Sequence, residues 1–182
     1  MGFSEDDFIV LGIMKWHQRE DPLVLIRAFK ELLCIQPRAR LILVGDGPLK
    51  NTVHQMLADI ADKVNTPGYV SYSQLPKFYA LADVFVHPAP SEPWGVSVNE
   101  AMACGVPVMV STGVGAREDL VDEGETGFVF PLGDWRALAD KLVSFSRTGD
   151  SVSIKASCVK KMRSWNYRQS LAAFESALGS SH

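Results

Sequence analysis

Four short runs of uninterrupted apolar residues set the strongest limit on what this chain can fold into. Phe8-Ile9-Val10-Leu11, Leu41-Ile42-Leu43-Val44, Val84-Phe85-Val86 and Val106-Pro107-Val108-Met109-Val110 show no polar–apolar alternation. A strand wetted on one face alternates, whereas a strand covered on both faces does not. Between the runs the apolar period lengthens to that of a helix. Leu25, Ile26, Phe29, Leu32 and Leu33 share one helical face, as do Val53, Met56, Leu57, Ile60, Ala61 and Val64. Asp21-Pro22 announces the first of these helices with a capping side chain and a proline at the first helical position. Shorter elements are expected in the gaps: a strand near Tyr69 to Ser71, a helix around Leu75 to Ala82, a strand near Phe128 to Phe130 and a helix from Asp134. Strand and helix alternate throughout, which implies an α/β fold: a doubly wound parallel sheet with helices on both faces and right-handed crossovers.

At 182 residues the chain is long enough for one core and marginal for two. The one plausible linker is SRTGDSVS, Ser146 to Ser153, ahead of a last helix expected from Tyr167 to Leu178. This divides the chain into a main domain, 1–146, and a helical tail, 147–182. The tail is basic: from Arg147 onward there are six basic residues and two acidic ones, against a net charge of −3 for the whole chain. Such an end suits a membrane surface, a nucleic acid, an acidic partner or simply a solvated helix face. No apolar run approaches the ~20 residues of a membrane helix. The opening MGFSEDDFIV carries acids where an export signal carries bases, so a cytoplasmic location is expected. Cys34, Cys104 and Cys158 lack any Cys-x-x-Cys spacing and read as buried thiols. The four histidines show no ligand spacing and Asp-x-Asp is absent, so no protein metal site is expected.

Ligands of doubly wound sheets bind at the carboxyl ends of the strands. There the chain places SEPWGVSVNE, Ser91 to Glu100. The strand ending at His87 leads into a loop, and Gly95 opens a helix running through Ala103. Glu92 then lies ahead of the helix start and Glu100 on its flank. The free N–H groups of Gly95, Val96 and Ser97 and the positive end of the helix dipole lie between them. A ligand with hydroxyls at both ends and phosphates in the middle fits this arrangement, and a sugar nucleotide answers that description. The plainer alternative is that Glu100 pairs with a basic side chain and Glu92 is an ordinary loop carboxylate. Gly45-Asp46-Gly47-Pro48 and Ser111-Thr112-Gly113-Val114-Gly115 are glycine-rich turns that let backbone approach a ligand, though neither completes a dinucleotide or Walker motif.

The run YALADVFVHPAPSEPWGVSVNEAMACGVPVMVS, Tyr79 to Ser111, resembles the signature of retaining glycosyltransferases of family 4 (group 1), which have the GT-B fold, including their pair of glutamates separated by seven residues. LILVGDGPL, GYVSYSQLPKFYALADVF and GETGFVFPLGDWRALADKL resemble successive blocks of that family's C-terminal domain, over about residues 3 to 145. The resemblance implies a Rossmann-like, nucleotide-sugar donor-binding half of a hexosyltransferase. Its partner is a missing N-terminal acceptor-binding domain, to which the basic tail with Trp165 and Tyr167 would cross. By resemblance Glu92 binds donor-sugar hydroxyls and Glu100 the ribose. The amides at Gly95, Val96 and Ser97 hold the pyrophosphate beside Trp94, Tyr69 and Val70 meet the base, and Gly113 and Gly115 border the donor. No metal or other cofactor and no nucleic acid is implied, and membrane contact only peripherally, through a full-length enzyme.

The family also sets an arginine and a lysine in the loop after the first strand to clamp the phosphates. Here that loop, MKWHQRED, offers Lys15 and Arg19, while Glu20 falls close to the lysine's place. Arg117 likewise stands where proline is common in the family. Two other readings stay open. One is a non-catalytic nucleotide or nucleotide-sugar binding module, or a subunit of a two-chain transferase. The other is a doubly wound domain of response-regulator type, whose acidic cluster at the end of the first strand is absent from Gly12-Ile13-Met14-Lys15.

Overall fold

The computed structural model describes residues 3–4, 6–148 and 151–165. Its strands are β1 (Phe8–Ile13), β2 (Ala39–Val44), β3 (Val64–Gly68), β4 (Val84–His87), β5 (Val108–Ser111) and β6 (Gly127–Phe130). Its helices are α1 (Pro22–Ile35), α2 (Lys50–Leu57), α3 (Pro76–Leu81), α4 (Val96–Ala103), α5 (Arg117–Leu120), α6 (Trp135–Thr148) and α7 (Ser151–Ser164). All six strands run parallel, in the order β3-β2-β1-β4-β5-β6. This is the α/β, doubly wound parallel sheet that the apolar runs predict, and it is Rossmann-like as the resemblance implies. Val10, Leu11, Leu41, Ile42, Leu43, Val84, Phe85, Val86, Val108, Met109 and Val110 are fully buried, since helices cover both faces. α1 packs on α2 and α6, and α4 packs on α7.

The sheet departs from the sequence pattern at its edge. The strand expected near Tyr69 to Ser71 lies earlier, at Val64–Gly68, and reads VNTPG. An edge strand buries little, so it needs no apolar run, and it tolerates Pro67 because one side of its backbone has no partner. The second helix is also shorter than its apolar face implied. α2 ends at Leu57, a tighter 3-10 segment follows over Ala58–Lys63 with a kink at Ile60, and Val64 already belongs to β3. Pro22 does open α1, but Asp21 makes no side-chain cap. It enters the helix in the left-handed conformation, with φ 43°.

At the other end, α6 continues through Thr148 and α7 begins at Ser151, so the expected linker from Ser146 to Ser153 holds helical residues on both sides of positions 149–150. The helix expected from Tyr167 to Leu178 lies outside the described residues. Of the three cysteines only Cys158 is buried; Cys34 and Cys104 are exposed. Cys158 donates to the Thr126 carbonyl at 3.2 Å, and burial pushes its thiol up to about 12.

What positions the site is the reversal of strand order. The chain steps outward from β1 through β2 to β3, then returns across the sheet to β4 beside β1. The loops leaving β1 and β4 therefore diverge and open a crevice at the carboxyl end of the sheet.

Candidate active site

The loop after β4 is built by its neighbour after β5. Glu92 N–H donates to Gly113 C=O (3.0 Å), Gly115 N–H to Glu92 C=O (2.9 Å) and Ala116 N–H to Trp94 C=O (2.9 Å). The two loops thus form a short parallel pairing beyond the sheet. The glycines are required by this lacing: a Cβ on Gly113 would lie 2.3 Å from the Pro90 carbonyl oxygen, and one on Gly115 2.0 Å from that of Pro93. Their close approach is to this loop's backbone, which fixes Glu92 at the crevice.

Gly95 then turns the chain into α4 at φ 99°, and no side chain among the described residues caps the helix. The first-turn N–H groups at Val96 and Ser97 are left to whatever lies in front of them, together with the positive end of the helix dipole. Glu92 and Glu100 stand on either side of that terminus. Glu92 Oε1 accepts from Trp94 N–H at 3.3 Å. Glu100 Oε2 accepts from the Tyr79 hydroxyl at 2.8 Å. The pairing with a basic residue weighed for Glu100 is not what forms: among the described residues no ion pair involves either glutamate. Burial, with the Glu100 charge, holds the Tyr79 phenol far above its ordinary range, so it remains a donor at any physiological pH.

Beside α4 lies a cavity of about 530 Å³ at the carboxyl ends of β1 and β2, walled by Ile13, Met14, Val44, Gly45, Val70 and Leu75. Lys15, Glu20, Asp46, Tyr69 and Tyr72 complete its lining. Tyr69 and Tyr72 are 85% and 74% exposed, so two aromatic rings stand free at its rim. The Glu100 charge pushes the Tyr72 hydroxyl upward, which places this rim within electrostatic reach of α4. Asp46 is spoken for: it accepts from Gly47 N–H and Lys50 Nζ, both at 2.7 Å, and the lysine holds its carboxyl below the usual range.

The expected site residues divide accordingly. Lys15, Tyr69 and Val70 reach the cavity; Glu92, Gly95, Val96, Ser97 and Glu100 surround the α4 terminus; Gly113 and Gly115 support the loop. Arg19 is exposed and not among the lining residues, its N–H donating to His17 Nδ1 at 3.1 Å. Trp94 turns toward the tail: its Nε1 donates to Asn99 Oδ1 at 2.7 Å, and its ring stacks on Trp165 with centroids 5.7 Å apart. Glu20, the departure in the β1 loop, is inside the cavity, where its Oε2 accepts from Lys15 N–H at 2.8 Å. Sequence reasoning missed Tyr79, Tyr72 and His87. His87 ends β4 with 3% of its surface exposed and, among the described residues, no hydrogen-bond partner for either ring nitrogen, and burial holds its pKa below the ordinary value despite the charge of Glu92. Among the described residues no group of three or more His, Cys, Asp or Glu is placed to hold a metal ion.

A parallel sheet reversing between β1 and β4, with an uncapped helix terminus and two carboxylates over the reversal, defines a Rossmann-like ligand-binding domain. Residues 2–163 match the family of group 1 glycosyl transferases, and the chain belongs to that family. It is 29% identical over 150 residues to the GDP-mannose-dependent monoacylated alpha-(1-6)-phosphatidylinositol monomannoside mannosyltransferase of Corynebacterium glutamicum, covering 79% of this chain and 39% of that protein. It is 30% identical over 144 residues to the N-acetyl-alpha-D-glucosaminyl L-malate synthase of Bacillus anthracis, covering 78% and 37%. Anabaena HepE, solved in complex with UDP and glucose, shares the fold with a TM-score of 0.79 and 24% identity over 97% of this chain and 49% of that one. The chain therefore spans about two fifths of the length of these curated relatives.

Proposed function

We propose that this chain is the donor-binding domain of a retaining, family 4 glycosyltransferase, moving a hexose from a nucleotide sugar to an acceptor held by a second, N-terminal domain. The observation that carries the reading is the placement of Glu92 and Glu100 on either side of the uncapped α4 terminus, with Glu100 locked by Tyr79. Glu100 accepts from the ribose hydroxyls and Glu92 from those of the donor sugar. The diphosphate lies on the α4 amides, and the base enters the apolar cavity between Val70 and the two rim tyrosines. Charge developing on the departing diphosphate meets the helix terminus and Lys15, with Arg19 completing the clamp if the loop closes on the ligand. No metal or other cofactor and no nucleic acid enters this scheme. A cytoplasmic location belongs to it, with membrane contact only peripheral and through the whole enzyme. No helix among the described residues is long and apolar enough to cross a membrane.

The test is isothermal titration with UDP, GDP and ADP and their hexose conjugates, on the wild type, Glu100→Gln and Lys15→Ala. Glutamine keeps an acceptor for Tyr79, so lost affinity reports the ligand rather than the fold. One nucleotide binds, and each substitution weakens it by about tenfold or more, the value of a charged hydrogen bond. Failure of every nucleotide to bind would refute the donor site. Separately, the chain alone shows little turnover, because this scheme assigns the acceptor to the second domain; brisk transfer to any acceptor would overturn the two-domain scheme. The presence of Glu20 in the cavity is the one observation favouring a non-catalytic nucleotide-binding module instead.

A further inference from the structure

Glu20 is a carboxylate where an anion is expected to lie. It is half-buried and lines the same cavity as Lys15. One oxygen, Oε2, is fixed by Lys15 N–H at 2.8 Å, while Oε1 has no hydrogen-bond partner among the described residues. Lys15 and His17 act on it from its own loop, and Glu92 from the loop before α4. Burial, reinforced by the charge of Glu92, already raises its pKa, against the pull of the Lys15 N–H and ammonium. A diphosphate arriving at the α4 terminus brings further negative charge to a site whose one lining cation among the described residues is Lys15.

We propose that nucleotide-sugar binding here takes up one proton, held on Glu20, whose neutral carboxyl then donates its O–H to a phosphate oxygen. The proposal rests on the donor-site reading above. The proton comes from solvent on binding and returns to it on release, so no bond of the ligand is broken. The arrangement turns a repulsive carboxylate into a hydrogen-bond donor and makes Glu20 a pH-dependent determinant of affinity. The other groups facing the cavity do not supply this titration: Asp46 is held ionised by Lys50, and Tyr72 is pushed further from neutrality by Glu100. His87, whose pKa burial lowers, is not among the lining residues, and Glu20→Gln is the control that separates its contribution from that of Glu20.

The sign follows from linkage. A group whose pKa is higher in the complex than in the free protein favours binding as pH falls, by up to about tenfold per pH unit between its two values. The experiment is titration of UDP-glucose and GDP-mannose between about pH 8 and about pH 5, in buffers of different ionisation enthalpy, on the wild type and Glu20→Gln. These sugar nucleotides are diphosphate diesters with no ionisation of their own in that range. The wild type should bind more tightly as pH falls and take up close to one proton. Glu20→Gln should bind with a flat profile, more tightly than the wild type at the alkaline end. Binding by the wild type with no pH dependence and no proton uptake, or a slope that persists in Glu20→Gln, overturns the proposal and leaves the donor site standing. Absence of binding by both proteins at every pH removes the donor-site reading and this proposal with it.

Discussion

Tyr79 decides how Glu100 is presented, yet nothing near Glu100 in the sequence announces it. The tyrosine lies 21 positions upstream in a stretch that reads as ordinary helix core, and only the return of the chain from β3 to β4 brings the hydroxyl to the carboxylate. The two glutamates were legible because their spacing brackets a helix start, a local feature. Their partners were not, because a hydrogen bond across elements leaves no periodic trace in the chain. His87 is a sharper case: a lone histidine before a proline carries no pattern, but it is buried with both nitrogens unpaired. A neutral imidazole in that place costs stability when it must charge. Its folded pKa lies below the ordinary 6.5, so under acid conditions the unfolded chain binds the extra proton. Stability is then complete above about pH 6.5 and falls as pH drops from there toward the lowered folded value. His87→Leu removes both the unpaired nitrogens and the titration. Urea unfolding should show the variant as stable as the wild type or up to ~1 kcal/mol more so at neutral pH, with the gap widening on acidification. A gap that narrows on acidification would show that the imidazole is charged in the folded protein.

At the scale of elements, the apolar runs foretold β1, β2, β4 and β5 because these strands are covered on both faces, and burial is what writes a continuous run. β3 was placed several residues late because an edge strand has little burial to write. Gly113 and Gly115 were read as making room for a ligand; the structure shows that they also make room for the loop that carries Glu92. The element on which the site depends most is the first turn of α4, and its geometry passes through Gly95. There φ is 99°, and a Cβ would lie 3.1 Å from Val114 Cγ1. Gly95→Ala should therefore cost about 1–3 kcal/mol in urea unfolding, from backbone strain and from pressure on the β5 loop. It should also weaken nucleotide binding, since the helix amides would be displaced. A variant with wild-type stability would show that α4 can start without the left-handed turn.

Across the whole molecule, the site exists because the sheet reverses between β1 and β4, and that reversal was implied by the strand–helix alternation without being located by it. The loop after β1 and the terminus of α4 belong to opposite halves of the sheet, so a ligand touching Lys15, Val70 and Glu100 joins segments that no backbone connection holds together locally. Binding confined to the native state adds RT ln(1 + [L]/Kd) to stability, about 2.7 kcal/mol at a hundredfold excess over Kd. For a domain of this size each kcal/mol moves the melting temperature by roughly 2–4 °C, which predicts a rise of about 5–10 °C under those conditions. The cognate sugar nucleotide should produce that rise in thermal denaturation followed by circular dichroism. Glu100→Gln should show a smaller rise at the same ligand concentration because its Kd is larger. A rise of the same size in the variant would place the ligand away from α4, and the reversal point would then lose its claim to be where this domain binds.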